Sequence, residues 1–264
     1  MALHDCVGLV RIDLNADVGE SFGPYSLGQD ASLMPALTSA SIACGFHAGD
    51  PGTMRATVVL AREHGVAVGA HPAFPDLVGF GRRELHASPR DVEDYVVYQI
   101  GALAAVAAAH GLRLQHVKPH GALYNMSARD PDLADAIARA TASVDASLVL
   151  FGLAGSELLS AGRRAGLRTA SEGFADRAYT SDGVLVARTD PAALITDADI
   201  VVSRALSMVR DGEVTAIGGE RLALDIDTLC VHGDTPDAAN LAVRIRQALV
   251  AAGVNVSPVG QAGQ

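Results

Sequence analysis

Tryptophan is absent from this chain, aromatic residues make up only 4% of it, and of its 20 strong cations a single one, Lys118, is a lysine. With so few large rings, the core must be built from Ala, Val, Leu and Ile, which the 49% hydrophobic content supplies. The scarcity of lysine excludes a P-loop, whose Gly-x-x-x-x-Gly-Lys-Ser/Thr run sets the amine beside a hydroxyl; Lys118 is followed by Pro119 and no glycine precedes it. No Gly-x-Gly-x-x-Gly opens a helix after the first strand either, so any nucleotide in this protein's chemistry is bound another way or by another chain. Cysteine is sparse too. Cys6, Cys44 and Cys230 form no Cys-x-x-Cys and read as reduced thiols of a cytoplasmic protein. Cys44 lies three residues before His47, but a buried cysteine of this kind is in most cases a small hydrophobe.

Long apolar runs are missing as well. No segment reaches 18 uninterrupted apolar residues, and Val96–Ala109 is broken by Gln99, so no membrane span is expected. Met1–Val10 carries Asp5 and no basic stretch ahead of an apolar one, which is not the pattern of a secretory signal. The net charge of −10 argues against nucleic acid and acidic membrane as partners, and an anionic substrate would need a local group of cations.

Short β-type runs alternate with amphipathic stretches along the chain. Strands are expected at Leu9–Asn15, Ser39–Cys44, Val66–Ala70, Leu114–Lys118, Ser147–Leu150, Arg168–Glu172 and Thr228–Val231. Helices are expected near Pro51–His64, Pro89–His110, Pro131–Thr141, Ser156–Ala165, Pro191–Arg210 and Pro236–Ala252. Five of these begin with a capping residue followed by proline: Asp50-Pro51, Ser88-Pro89, Asp130-Pro131, Asp190-Pro191 and Thr235-Pro236. A repeated strand–helix order implies a parallel α/β sheet. The first strand favours a closed or distorted barrel over an open sheet, because Arg11, Asp13, Asn15 and Asp17 share one face, and a polar face suits a barrel lumen. One (β/α) barrel domain is expected over residues 1–256, with a loose tail over 257–264.

The lone lysine falls in Gln115-His116-Val117-Lys118-Pro119-His120-Gly121, at an expected strand end. Lys is a compact ammonium whose pKa moves readily on burial, so this position is a candidate for chemistry. His47, His71, His120 and His232 each fall just beyond the C-terminal end of a strand, the edge where α/β barrels place their sites. His64 and His110 instead precede glycines at helix ends and suit the macrodipole there. Acids and amides gather at the same edge: Asp13, Asn15, Asp17 and Glu20 after strand one, Asp50 after His47, Glu172 with Asp176 and Arg177, and Asp234 after His232. Asp50 also serves as an N-cap.

Two chemistries compete for this set. One is a metal centre with His47, His71 and either Asp13 or Asp17 as ligands. The other is metal-free acid–base catalysis, with His and Asp moving protons while Lys118 and Arg177 hold anionic groups. The connection from His71 to Glu84, rich in Pro and Gly and carrying Arg82 and Arg83, reads as a binding loop.

At these residues the chain resembles the LamB/YcsF family. The matching runs are Asp13-Leu14-Asn15-Ala16-Asp17-Val18-Gly19-Glu20, Ile42-Ala43-Cys44-Gly45-Phe46-His47-Ala48-Gly49-Asp50-Pro51 and Gly69-Ala70-His71-Pro72. Gly79-Phe80-Gly81-Arg82-Arg83, Val117-Lys118-Pro119-His120-Gly121-Ala122-Leu123-Tyr124-Asn125, Glu172-Gly173-Phe174-Ala175-Asp176-Arg177-Ala178-Tyr179 and Val231-His232-Gly233-Asp234 continue it. One departure is Ser41, where the family usually has Asn. The resemblance implies a distorted seven-stranded TIM-like barrel of the glycoside hydrolase/deacetylase type. It also implies ATP-dependent opening of the 5-oxoproline lactam to L-glutamate, with partner subunits B and C handling the ATP. On that basis Asp17, His47, Asp50, His71, Lys118, His120, His232 and Asp234 are the expected catalytic residues, with a His47/Asp50 or His232/Asp234 pair as base. Asp13, Asn15, Arg82, Glu172, Asp176 and Arg177 are the expected substrate-binding residues. The alternatives are a non-catalytic carboxylate-binding subunit and a stand-alone metal-dependent amidohydrolase or deacetylase.

Overall fold

A computed structural model of the chain describes residues 10–231 and 237–260. His232 and Asp234, and with them one of the two expected His–Asp pairs, lie outside the described residues. β1 (Arg11–Val18), β2 (Ser39–Ala43), β3 (Ala67–His71), β4 (Leu114–Val117), β5 (Val149–Leu153) and β6 (Arg168–Phe174) follow one another in a parallel sheet. A small antiparallel hairpin, β7 (Glu213–Thr215) with β8 (Arg221–Ala223), then intervenes before β9 (Thr228–Val231) takes its place between β6 and β1. β1 therefore pairs with both β2 and β9, and seven parallel strands close the expected barrel. β10 (Asn255–Val256) adds to the start of β1 outside the ring.

The crossovers are α1 (Asp30–Leu33), α2 (Pro51–His64), α3 (Pro89–Ala109), α4 (Gly121–Ser127), α5 (Pro131–Val144), α6 (Glu157–Arg164), α7 (Ala198–Leu206) and α8 (Ala238–Ala251). Asp50, Ser88 and Asp130 cap α2, α3 and α5 with side-chain oxygens on backbone N–H groups, each ahead of a proline. This is how the sequence starts helices where orphan donors would otherwise remain. α3 is apolar and 21 residues long, enough by length and composition to cross a membrane, but it lies on the barrel. Its Val92, Val96, Ile100 and Leu103 are buried, and the Gln99 amide bonds the Ala73 backbone through both its oxygen and its nitrogen at 2.9 Å.

The expected helix at Pro191–Arg210 begins later. Asp190 turns the chain by accepting from the Ala192 N–H at 2.8 Å, and Asp197 caps α7. Residues 191–195 are drawn instead into irregular pairing with 176–178, where Ala178 N donates to Ala193 O and Ile195 N to Asp176 O. The expected loose tail is anchored over its first residues. Ser257 N donates to Ile12 O, and the carbonyls of Pro258 and Val259 accept from Arg11 and Gln115.

The polar face of β1 points into the lumen, as its alternation suggested. Asp13, Asn15 and the inward residues Ser39, Ser41, His116 and Thr228 are all buried there, while Ile12, Leu14 and Ala16 join the apolar core under the helices. Gly69 of β3 makes this possible, because a Cβ at that position would lie 2.3 Å from the His116 ring.

Candidate active site

Each strand's C-terminal end delivers one or two polar groups to the barrel mouth. Lys118 follows β4 directly and its Nζ turns inward, almost fully buried. It lies 2.6 Å from Asp17 Oδ1, donates to Asn15 Oδ1 at 2.7 Å and to Glu172 Oε1 at 3.0 Å, and sits 3.3 Å from Cys230 Sγ. Glu172 is held in turn by Asn15 Nδ2 at 3.0 Å and by the Tyr124 hydroxyl, which donates to Oε2 at 2.7 Å. Burial works against the Lys118 ammonium, but Asp17 and Glu172 hold its pKa well above the usual lysine value. Burial likewise opposes the charge on Asp17, but His71 and Lys118 bring its carboxyl well below the usual range. The pair is a buried salt bridge in a cavity wall, charged on both sides at neutral pH.

Beside it stands a cluster of imidazoles. His71 Nδ1 donates to the Lys118 carbonyl at 2.6 Å, and His71 Nε2 lies 3.3 Å from Asp17 Oδ2 and 2.9 Å from His120 Nδ1. His120 Nε2 donates to the Phe80 carbonyl at 2.9 Å. His47 stacks parallel on His120 with ring centroids 3.8 Å apart, and its Nε2 lies 3.2 Å from Glu20 Oε1. Burial, with the neighbouring histidines adding to it, pushes the pKa of His47 and of His120 well below the usual imidazole value. Glu20, His47, His71 and His120 present ligand atoms within 4.8 Å of one another, a group able to hold a metal ion. Asp13 is not part of that group.

The loop after β3 packs over the histidines. Asp76 pairs with Arg83 and accepts from Gly79 N, which folds the segment back on itself. Phe80 then sets its ring edge-on to His47 and His120 from a left-handed backbone, φ 54°. Gly81, φ 63°, passes so close that a Cβ there would lie 2.8 Å from His47 Cβ. That contact and the positive φ both require glycine.

A cavity of about 830 Å³ opens at this mouth, with Asp17, His71, Lys118, His120 and Glu172 in its floor and Arg82, Arg129, Arg177 and Arg188 among its walls. Other expected residues have different posts. Asp13 is buried below the mouth, accepting from the Thr38, Ser39 and Thr228 hydroxyls. Asn15 braces Lys118 from within the lumen. Asp50 does not meet His47; its carboxylate accepts from the N–H groups of Gly23, Gly52 and Thr53, so the cap role takes it and the expected His47/Asp50 base pair does not form. Asp176 is buried beside the wall without lining it, and Arg177 spends hydrogen bonds on the Val186 and Ala193 carbonyls, stitching its loop together. Burial and nearby Arg188 bring the Arg177 pKa down to about 10. Cys44 is buried, its thiol donates to the Ile42 carbonyl at 3.1 Å, and burial raises its pKa to about 12. Ser41, the departure from the family pattern, lies 3.1 Å from His116 Nε2 through its hydroxyl.

Three residues of the site were not singled out from spacing. Glu20 was visible only as one more acid past the end of strand one, Tyr124 as part of a run, and Thr228 as a strand residue. Gly19, φ 70°, is the signal for Glu20, since it marks the sharp turn that brings this side chain back over the mouth.

A closed parallel barrel with acids, imidazoles and a buried lysine at the C-terminal ends of its strands has the layout of an α/β-barrel enzyme. The chain belongs to the LamB/YcsF family, whose profile matches residues 12–264. A Tolumonas auensis protein named as the A component of 5-oxoprolinase is 56% identical over 248 residues, covering 94% of this chain and 99% of its own length. Its Bacillus subtilis namesake is 54% identical over 253 residues, covering 96% and 98%. The crystal structure of the lactam utilization protein from Thermus thermophilus superposes with a TM-score of 0.89 at 50% identity, over 94% of this chain and 99% of that one.

Proposed function

We propose that this chain is the hydrolytic subunit of an ATP-dependent 5-oxoprolinase, acting in the cytoplasm with partner subunits B and C to open the 5-oxoproline lactam to L-glutamate. The observation that carries the reading is the Lys118–Asp17 pair, 2.6 Å apart in the floor of a cavity sized for a small molecule. The names of the relatives supply the substrate class.

An amide carbonyl is a poor electrophile, so ATP is spent activating it. The partner subunits transfer the γ-phosphoryl group to the lactam oxygen and release ADP. On this subunit, water adds its oxygen to the ring carbon and gives a proton to Asp17. The C–N bond then breaks, the ring nitrogen takes a proton from Lys118, and a second water releases phosphate to leave the new carboxyl of glutamate. Lys118 also faces the negative charge that develops during addition, a task for which one preorganised group is worth about 10²–10³ in rate. Asn15, Glu172 and Tyr124 hold Lys118 in place. Arg82, on the wall with its guanidinium 4.9 Å above the Phe80 ring, binds the substrate carboxylate.

Glutamate formation by this subunit mixed with purified subunits B and C, ATP and 5-oxoproline tests the reading. Lys118→Met is expected to cut turnover by about 10²–10³ with KM within a few-fold. Undiminished turnover would remove lysine from the chemistry, and a loss confined to affinity would favour a non-catalytic, carboxylate-binding role.

A further inference from the structure

We infer that the barrel mouth binds one divalent first-row metal ion, held by His71 Nε2, His120 Nδ1 and the Glu20 carboxylate. Hydrogen bonds fix where the imidazole protons lie. A neutral imidazole carries one N–H, and the hydrogen bond made by one nitrogen decides what the other presents. His71 Nδ1 must donate to the Lys118 carbonyl at 2.6 Å, and His120 Nε2 must donate to the Phe80 carbonyl at 2.9 Å, because a carbonyl only accepts. With both rings neutral, His71 Nε2 and His120 Nδ1 present bare lone pairs 2.9 Å apart, with Asp17 Oδ2 a further acceptor 3.3 Å from the first, in a buried place. Two acceptors at that separation repel unless a cation sits between them.

The surroundings are those of metal ligands. Ligating histidines nearly always donate their second nitrogen to a carbonyl or carboxylate, which fixes the tautomer and the ring plane. Both rings do this here, and Phe80 keeps its left-handed backbone, at a cost of about 1–2 kcal/mol, while aiming its carbonyl at His120. With bonds of about 2.0–2.1 Å, a 2.9 Å separation of nitrogens subtends roughly 90° at the ion, a pair of adjacent positions in a five- or six-coordinate shell. Glu20 Oε1 lies 3.6 Å from His120 Nδ1, on the same side, and supplies the anionic ligand. His47 is a positioning residue: its Nε2 meets that same Glu20 oxygen at 3.2 Å, and its ring stacks parallel on His120. Two imidazoles and a carboxylate are a donor set for zinc, cobalt, iron or manganese rather than for calcium or magnesium. The cavity leaves the rest of the shell to water or substrate.

A metal here deepens the reading of the mouth as the place of water attack and rests on it, but its test uses neither substrate nor partner subunits, so either can fail alone. The full chain, without a polyhistidine tag and stripped with dipicolinate, is titrated with Co²⁺ while visible absorption is followed. Bound metal is counted by elemental analysis after dialysis against Zn²⁺. One equivalent per chain with d–d absorption is expected. His120→Asn and Glu20→Gln should each weaken binding by at least about 10-fold, while His64→Asn, on the exposed end of α2, leaves it unchanged. Less than a tenth of an equivalent in the unmutated chain would overturn the inference and assign the cation between the rings to a proton. Stoichiometric binding that survives both ligand variants, with the fold checked by circular dichroism, would overturn it as well.

Discussion

Asp13 and Asp17 lie on the same face of the same strand, four residues apart, the first buried and the second facing the cavity, and their surroundings are opposite. Asp13 sits among hydroxyls, accepting from Thr38 at 2.6 Å, Ser39 at 2.7 Å and Thr228 at 2.5 Å, and burial raises its pKa despite them. Asp17 is nearer the mouth, where Lys118 and His71 reach it and lower its pKa. Hydroxyls satisfy a buried acid without activating it; a buried cation and an imidazole keep one charged in a cavity wall. Of two like residues on one face, the lower is tied to hydroxyls of neighbouring strands and the upper faces a cation at the cavity.

That contrast can be broken in several ways. The largest effect is expected from Asp17→Asn, which removes the proposed proton acceptor and leaves Lys118 short of its nearest partner: turnover in the reconstituted enzyme should fall by about 10³. Gly69→Ala probes the lumen beside His116. The new methyl would lie 2.3 Å from the His116 ring, so a loss of about 2–3 kcal/mol in urea unfolding is expected at unaltered ligand chemistry.

The smallest effect is a slope. His116 is buried against Phe151, and burial followed by Lys118 brings its pKa down from 6.5 to about 3. The folded pKa lies below the unfolded one, so the unfolded chain gains a proton first as pH falls. The stability is complete above about pH 6.5 and is lost progressively toward pH 3, at up to about 1.4 kcal/mol per pH unit. Urea midpoints at pH 7 and pH 5 should therefore draw together in His116→Gln relative to the unmutated chain. Equal pH dependence in both would contradict this assignment.

Much of this was legible in the residues. Capping residues before prolines located α2, α3 and α5, and the polar alternation of β1 pointed to a lumen. His47, His71, His120 and Lys118 do meet, because strand ends in a parallel barrel converge whatever their separation in sequence. What could not be read was pairing. Nothing local distinguishes Asp13 from Asp17, since the hydroxyls and the cation that separate them come from β2, β4 and β9. Asp50 looked equally suited to cap and base until its carboxylate was seen on the Gly52 and Thr53 amides. α4 escaped notice because it is short and His120 gives it no side-chain cap, and the β7–β8 hairpin because three-residue strands show no alternation.

The central claim is that charge at Asp17, rather than acidity in the lumen generally, drives the reaction. Glutamate formation by Asp17→Asn and Asp13→Asn, each mixed with subunits B and C, ATP and 5-oxoproline, tests it directly. The expected result is a loss of about 10³ for Asp17→Asn, with Asp13→Asn within about 3-fold of the unmutated chain but less stable by about 1–3 kcal/mol. Equal losses in the two variants, or undiminished turnover in Asp17→Asn, would contradict it.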